Sequence, residues 1–171
     1  VWNNPSGDDM DWTRDAGGTS SSSTGPSDGQ SGDYYVYTEA SSPNYPSKVA
    51  NLVSPDVYLT DLTDSELEFG YHMYGTAMGI LRVYVSTNGG SSWVQEWTQS
   101  GNLGDSWNTA NVDLSSYDGQ TILLRFEGTT GTSYTSDMAI DNIRIDGTGG
   151  ADAGESALAD VSARSASRLE I

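Results

Sequence analysis

The chain has 171 residues, with 24 Asp or Glu against 7 Lys or Arg, for a formal net charge of −17. That balance argues against nucleic acid and anionic membrane surfaces as partners, because both would repel it. The absence of cysteine rules out disulfides, thiolate zinc sites and thiol nucleophiles, and no stretch approaches the ~18 apolar residues of a membrane-spanning helix. The length suits one domain with a real core. The 20 Gly, 10 Tyr and 5 Trp, with abundant Ser and Thr, favour strands and turns over helices. The acid excess has two readings, solubility in salty or extracellular conditions and cation binding. No signal peptide opens the chain at Val1, which reads as a module excised from a longer precursor.

In chain order, DDMDWTR (8–14) crowds Asp8, Asp9 and Asp11 around Met10 and Trp12. Acid beside core residues is costly unless paired, so the stretch is either a solvated lip or half of a cation site. Residues 17–33, GGTSSSSTGPSDGQSGD, predict a loop. YYVYTEAS predicts a strand, and VANLVSPDVYL a strand interrupted by Pro55 at a sheet edge. In ELEFGYHMYG, Leu67, Phe69, Tyr71 and Met73 share one face and Glu66, Glu68, Gly70 and His72 the other, the period of a half-buried strand. ILRVYVST repeats it, and Asn88-Gly89-Gly90 signals a hairpin into SWVQEWTQ. WNTANVDL, TILLRFEG and MAIDNIRI bring the candidates to at least eight, joined by turns such as Tyr117-Asp118-Gly119. With no amphipathic helix among them, they predict an all-β sandwich or barrel. Beyond Ile145 the apolar content falls, which places the domain at 1–147 and a linker or tail at 148–171, with a short helix at 156–161 as its one candidate element.

The sequence resembles the MAM domains, named for meprin, the A5 antigen and a receptor phosphatase. DDMDWTR is similar to the family's Asp-rich opening. TGPSDGQSGDYYVYTEAS, LEFGYHMYGTAMGILRVYV, WTQSGNLGDSWNTANVDL and LRFEGTTGTSYTSDMAIDNIRI resemble successive later segments, and together the matches span about residues 8–146. The resemblance implies a two-sheet jelly-roll β-sandwich used outside the cell for adhesion and assembly. Animal members usually carry disulfides. A cysteine-free chain instead suggests a bacterial relative, an accessory module covalently linked to the catalytic domain of a secreted enzyme. The ending SARSASRLEI resembles the approach to a type IX secretion sorting domain, which would make the parent secreted or held at the cell surface.

The chemistry centres on acids and aromatics. Asp9 and Asp11 point the same way in an extended segment, Asp28 lies in a glycine-rich turn, and Asp137 and Asp141 flank the last strand. First and last strands of a jelly roll can pair side by side, which would bring these acids together. Carboxylates and loop carbonyls suit a structural Ca²⁺, with Na⁺ as the other option. The resemblance likewise implies a cation near this region and matches Asp28 and Asp141 to the family's acidic positions. The competing reading makes the aspartates caps that accept nearby backbone N–H groups, above all Asp8. His72, the only histidine, reads as a surface or packing residue. No G-x-S-x-G elbow occurs, and pairs among Glu66, Glu68, Glu96 and Glu127 arise by chance in so acidic a chain, so the expectation is a module without catalysis. Trp93, Tyr134, Tyr74 and Tyr45 are candidates to stack on sugars, whereas Trp97 and Trp107 read as core. The partner is expected to be a polysaccharide; the alternative is an extracellular protein, for which the module would serve adhesion, assembly or spacing.

Overall fold

A computed structural model describes residues 1–149; all of the expected tail but Thr148 and Gly149, including the candidate helix at 156–161, lies outside the described residues. Ten strands follow one another: β1 (Thr13–Ala16), β2 (Tyr34–Thr38), β3 (Val49–Val53), β4 (Val57–Tyr58), β5 (Leu62–Met73), β6 (Ile80–Ser86), β7 (Val94–Ser100), β8 (Trp107–Asp113), β9 (Thr121–Thr129) and β10 (Met138–Gly149). They form two sheets, ordered β1-β2-β10-β5-β8 and β3-β9-β6-β7, with β4 also on β9. Every pairing between strands is antiparallel.

The alternation read in the sequence sets the register. Leu67, Phe69, Tyr71 and Met73 of β5 face Leu81, Val83 and Val85 of β6 and Leu124 and Phe126 of β9 across one core. The Phe69 and Phe126 rings meet edge to face at 4.9 Å, and Trp97 closes on Phe69 at 5.1 Å. The β6–β7 hairpin turns at Asn88-Gly89-Gly90, where both glycines have positive φ. Pro55 separates β3 from β4, and β3 is an edge strand. β10 runs to Gly149, pairing Thr148 with Thr63, so the sheet extends two residues past the expected end of the domain.

The DDMDW part of DDMDWTR lies along that β3 edge, and Thr13 and Arg14 open β1. Trp12 is buried, and its Nε1 donates to the Ala50 carbonyl at 3.1 Å. Val49, Asn51 and Val53 turn their free N–H groups outward. Asp9 Oδ2 accepts from Val49 N at 2.9 Å, Asp8 Oδ2 from Asn51 N at 2.7 Å, and the Asn3 carbonyl from Val53 N at 2.8 Å. Asp9 also meets Lys48 Nζ at 3.2 Å. These acids satisfy an exposed strand edge that would otherwise invite another strand.

Candidate functional site

The 17–33 loop is a cover for the outer face of the first sheet. Under it lies a second apolar cluster of Tyr35, Tyr37 and Ala139, with Trp107 against it. Tyr35 Oη donates to the Gly17 carbonyl at 2.8 Å and Trp107 Nε1 to the Asp28 carbonyl at 3.0 Å. Gln30 N and Ser31 N donate to Asp141 Oδ2 at 2.9 and 3.1 Å, and Asn142 Nδ2 to Gln30 Oε1 at 3.0 Å. Gly70 makes room for Gln30, since a Cβ there would stand 1.9 Å from Gln30 Oε1. His72 is buried beside Trp107, with Nε2 3.2 Å from Asp105; burial lowers its pKa and Asp105 offsets part of that. Its role is packing.

At one end of this sheet Asp137 is fully buried. Its Oδ1 accepts from Ala40 N at 2.8 Å, while Oδ2 has no hydrogen-bond partner. Thr38 and Met138 are register partners, so Glu39 and Asp137 follow on neighbouring strands. Glu39 accepts from Ser20 Oγ at 2.6 Å, Ser41 N at 2.9 Å and Tyr37 Oη at 3.4 Å. Burial, only partly offset by the Ala40 N–H and the Thr19 hydroxyl and reinforced by the Glu39 charge, pushes the Asp137 carboxyl up to about 6. Burial raises Glu39 as well, but its hydrogen bonds outweigh that and leave it below the usual carboxylate range. A buried carboxylate oxygen without a donor, next to a second carboxylate, fits a hard cation. Among the described residues no group of three or more His, Cys, Asp or Glu is placed to hold one ion, so the remaining ligands there would be neutral oxygens.

The structure does not bring the five sequence-predicted aspartates together. The expectation required the first and last strands to be neighbours, but β2 lies between β1 and β10. Asp9 is engaged at the β3 edge, Asp11 is exposed, and Asp28 Oδ1 accepts from Gly29 N at 2.9 Å. Asp141 accepts three backbone N–H groups, from Gln30, Ser31 and Asn142. Of the five, Asp137 alone keeps a buried oxygen without a partner, and its neighbour Glu39 was missed. The available signal was spacing: Glu39 is in period-two register with Tyr35 and Tyr37, an acid at the end of a strand buried on both faces.

Of the four aromatic candidates, Tyr134 is exposed, at 43%, and Trp93, Tyr74 and Tyr45 are half-buried. Trp93 does not offer a bare ring. It belongs to the outer face of the second sheet, where the Arg125 guanidinium lies 4.6 Å from the Trp93 ring centroid and 4.4 Å from that of Tyr84. Arg82, Glu127 and Asn51 share this face, which the 17–33 loop does not cover.

A family model described as MAM domain, meprin/A5/mu matches residues 1–149. MAM domain-containing glycosylphosphatidylinositol anchor protein 2 of Mus musculus is 35% identical over 153 residues, covering 81% of this chain and 16% of its own length. The chain thus spans a small part of that relative. The K1 cleaved adhesin domain of Lys-gingipain from Porphyromonas gingivalis W83 has the same fold with a TM-score of 0.61 at 16% identity, covering 87% of this chain and 90% of that one. A structure from work on carbohydrate-binding modules of the β-sandwich superfamily gives a TM-score of 0.51 at 12% identity, over 85% and 56% of the two chains. At these identities the structural likenesses establish the two-sheet β-sandwich.

Proposed function

The chain belongs to the MAM domain family, and from that premise we propose that it is a non-catalytic extracellular binding module, a carbohydrate-binding accessory domain within a longer secreted or surface protein. The observation that carries this reading is the asymmetry of the sandwich. One outer face is partly covered by the 17–33 loop, and the other carries Trp93, Tyr84, Arg82, Arg125, Glu127 and Asn51, each half-buried and left uncovered by that loop. Aromatic rings beside fixed hydrogen-bonding groups are what sugar recognition requires. The adhesin and carbohydrate-binding neighbours support a binding role, and the mouse relative, named for a membrane anchor, supports a place outside the cell. Attachment to a catalytic domain would raise that domain's local concentration on its polymer.

A structural cation belongs to the same reading: Ca²⁺, or Na⁺ in its place, held by Asp137 Oδ2 and Glu39 with neutral oxygens completing the shell. It would neutralise the buried pair and fix the ends of β2 and β10 to each other. The test of the module is affinity electrophoresis through soluble polysaccharides in Ca²⁺. Retardation by at least one glycan is the expected result. Free migration in all of them, with a concentration-dependent dimer, would transfer support to a protein-assembly module. The free edge of β7, where Val94 is 57% exposed, favours that second reading.

A further inference from the structure

Resting on the glycan-binding reading, we propose that the open face of the β3-β9-β6-β7 sheet takes a carboxylate-bearing sugar, a uronic acid unit of a glycan, on the guanidinium groups of Arg82 and Arg125. Strand register places these groups side by side. Glu127 of β9 stands opposite Asn51 of β3 and Arg82 of β6, and Arg125 opposite Tyr84. The residues between them, Leu124, Phe126 and Val83, belong to the core, so this set faces outward.

Charge points to an anion. Glu127 accepts from Arg82 Nη1 at 3.0 Å, Tyr84 Oη at 3.4 Å and Arg125 Nη2 at 3.5 Å. One carboxylate therefore serves two guanidinium groups. Elsewhere the balance is different: Arg144 meets both Glu68 and Asp146, Lys48 pairs one to one with Asp9, and Arg14 lies over the Tyr34 ring at 3.5 Å. Among the described residues, the Arg82–Glu127–Arg125 group is the one ion-pair group in which cations outnumber anions. In a chain of net charge −17 the surplus is conspicuous.

Geometry points to a carboxylate. Arg125 lies against the rings of both Tyr84 and Trp93 and is bonded to Glu127, contacts that restrict its planar fork before any ligand arrives. Such a fork matches the two oxygens of a carboxylate, and the lysine ammonium does not. Thr98 and Gln95, exposed on β7 opposite Arg82 and Tyr84, lie where sugar hydroxyls would be met. Distant acids are screened beyond about 8 Å at physiological salt, which leaves the local attraction in force but disfavours densely charged polymers. The fitting ligand carries uronic acids spaced among neutral sugars.

The experiment uses the whole chain. Glucuronoxylan, homogalacturonan, alginate and hyaluronan are each run beside their carboxyl-reduced forms, and the most retarding pair is cut to oligosaccharides for calorimetric titration. The acidic form is expected to bind about tenfold or more tightly than the reduced form. Arg125→Gln should abolish that preference, and Arg125→Lys should not restore it. Thr98→Glu, on the exposed rim, should weaken the acidic oligosaccharide more than its reduced form and covers the case in which the arginine variants fold poorly. Equal binding of acidic and reduced forms, unaffected by these variants, would overturn the proposal while leaving the glycan reading intact. No binding of either form in the panel, or of neutral xylan and cellulose oligosaccharides, would remove both. Competition by poly-glutamate as effective as that of the acidic glycan would overturn the sugar assignment in favour of a protein ligand.

Discussion

Asp137 and Asp141 lie four residues apart at the start of β10 and serve opposite ends. Both oxygens of Asp141 accept backbone N–H groups, two of them from the covering loop, so Asp141 is a staple. Asp141→Ala should cost about 2 kcal/mol by removing three hydrogen bonds to a charged acceptor, and the fall in Tm should be the same in Ca²⁺ and in chelator. Asp137 has an oxygen to spare. In chelator its carboxyl titrates near 6 in the folded protein against the ordinary 3.8. Between those values the native state holds a proton that the unfolded chain releases, so stability falls as pH rises from about 4 to about 6. Saturating Ca²⁺ should reduce or reverse that fall, because the metal binds the ionised form. Asp137→Asn should flatten the pH dependence in this window and remove the Ca²⁺ response, read by thermal melts across pH. Both aspartates were legible as acids at the last strand. What separated them was not, because it depends on which backbone donors the fold brings to each.

The strands were legible wherever a strand has one wet and one dry face, as in β9, whose alternation is unbroken in the structure, and in β6, which alternates as far as Val85. β1 escaped because TRDA is an edge strand with little burial and so carries no period. Residues 17–33 were legible as a loop, but their docking over the sheet escaped for the opposite reason. Thr24, Gly25 and Pro26 are buried, yet nothing in their composition differs from a solvated linker. Docking by backbone bonds and glycine contacts has no hydrophobic signature. Glycines on these elements give a sharp contrast. A Cβ on Gly79 would lie 1.8 Å from the Thr129 carbonyl oxygen, which the sheet holds in place. Gly79→Ala should therefore destabilise by about 3 kcal/mol. Gly70→Ala meets only the flexible end of Gln30 and should cost about 1 kcal/mol, with the loss expressed as faster hydrogen exchange in the 17–33 loop.

For the molecule as a whole, composition and spacing indicated an all-β sandwich or barrel and the family resemblance implied two sheets, but the order of strands within a sheet is set by long-range pairing that no local window contains. That is why the expected meeting of the first and last strands gave way to β2 at the centre of the match. Net charge acts at this scale too. With −17 on a chain of 171 residues, self-repulsion should make Tm rise between 10 and 150 mM NaCl at pH 7, by a few degrees, and less so once Ca²⁺ is bound. The sheet order has one more consequence. β10, the last strand in the domain, lies between β2 and β5, near the middle of its sheet. During synthesis the first sheet has no centre until residues 138–149 have left the ribosome, and the earlier strands can only wait for it.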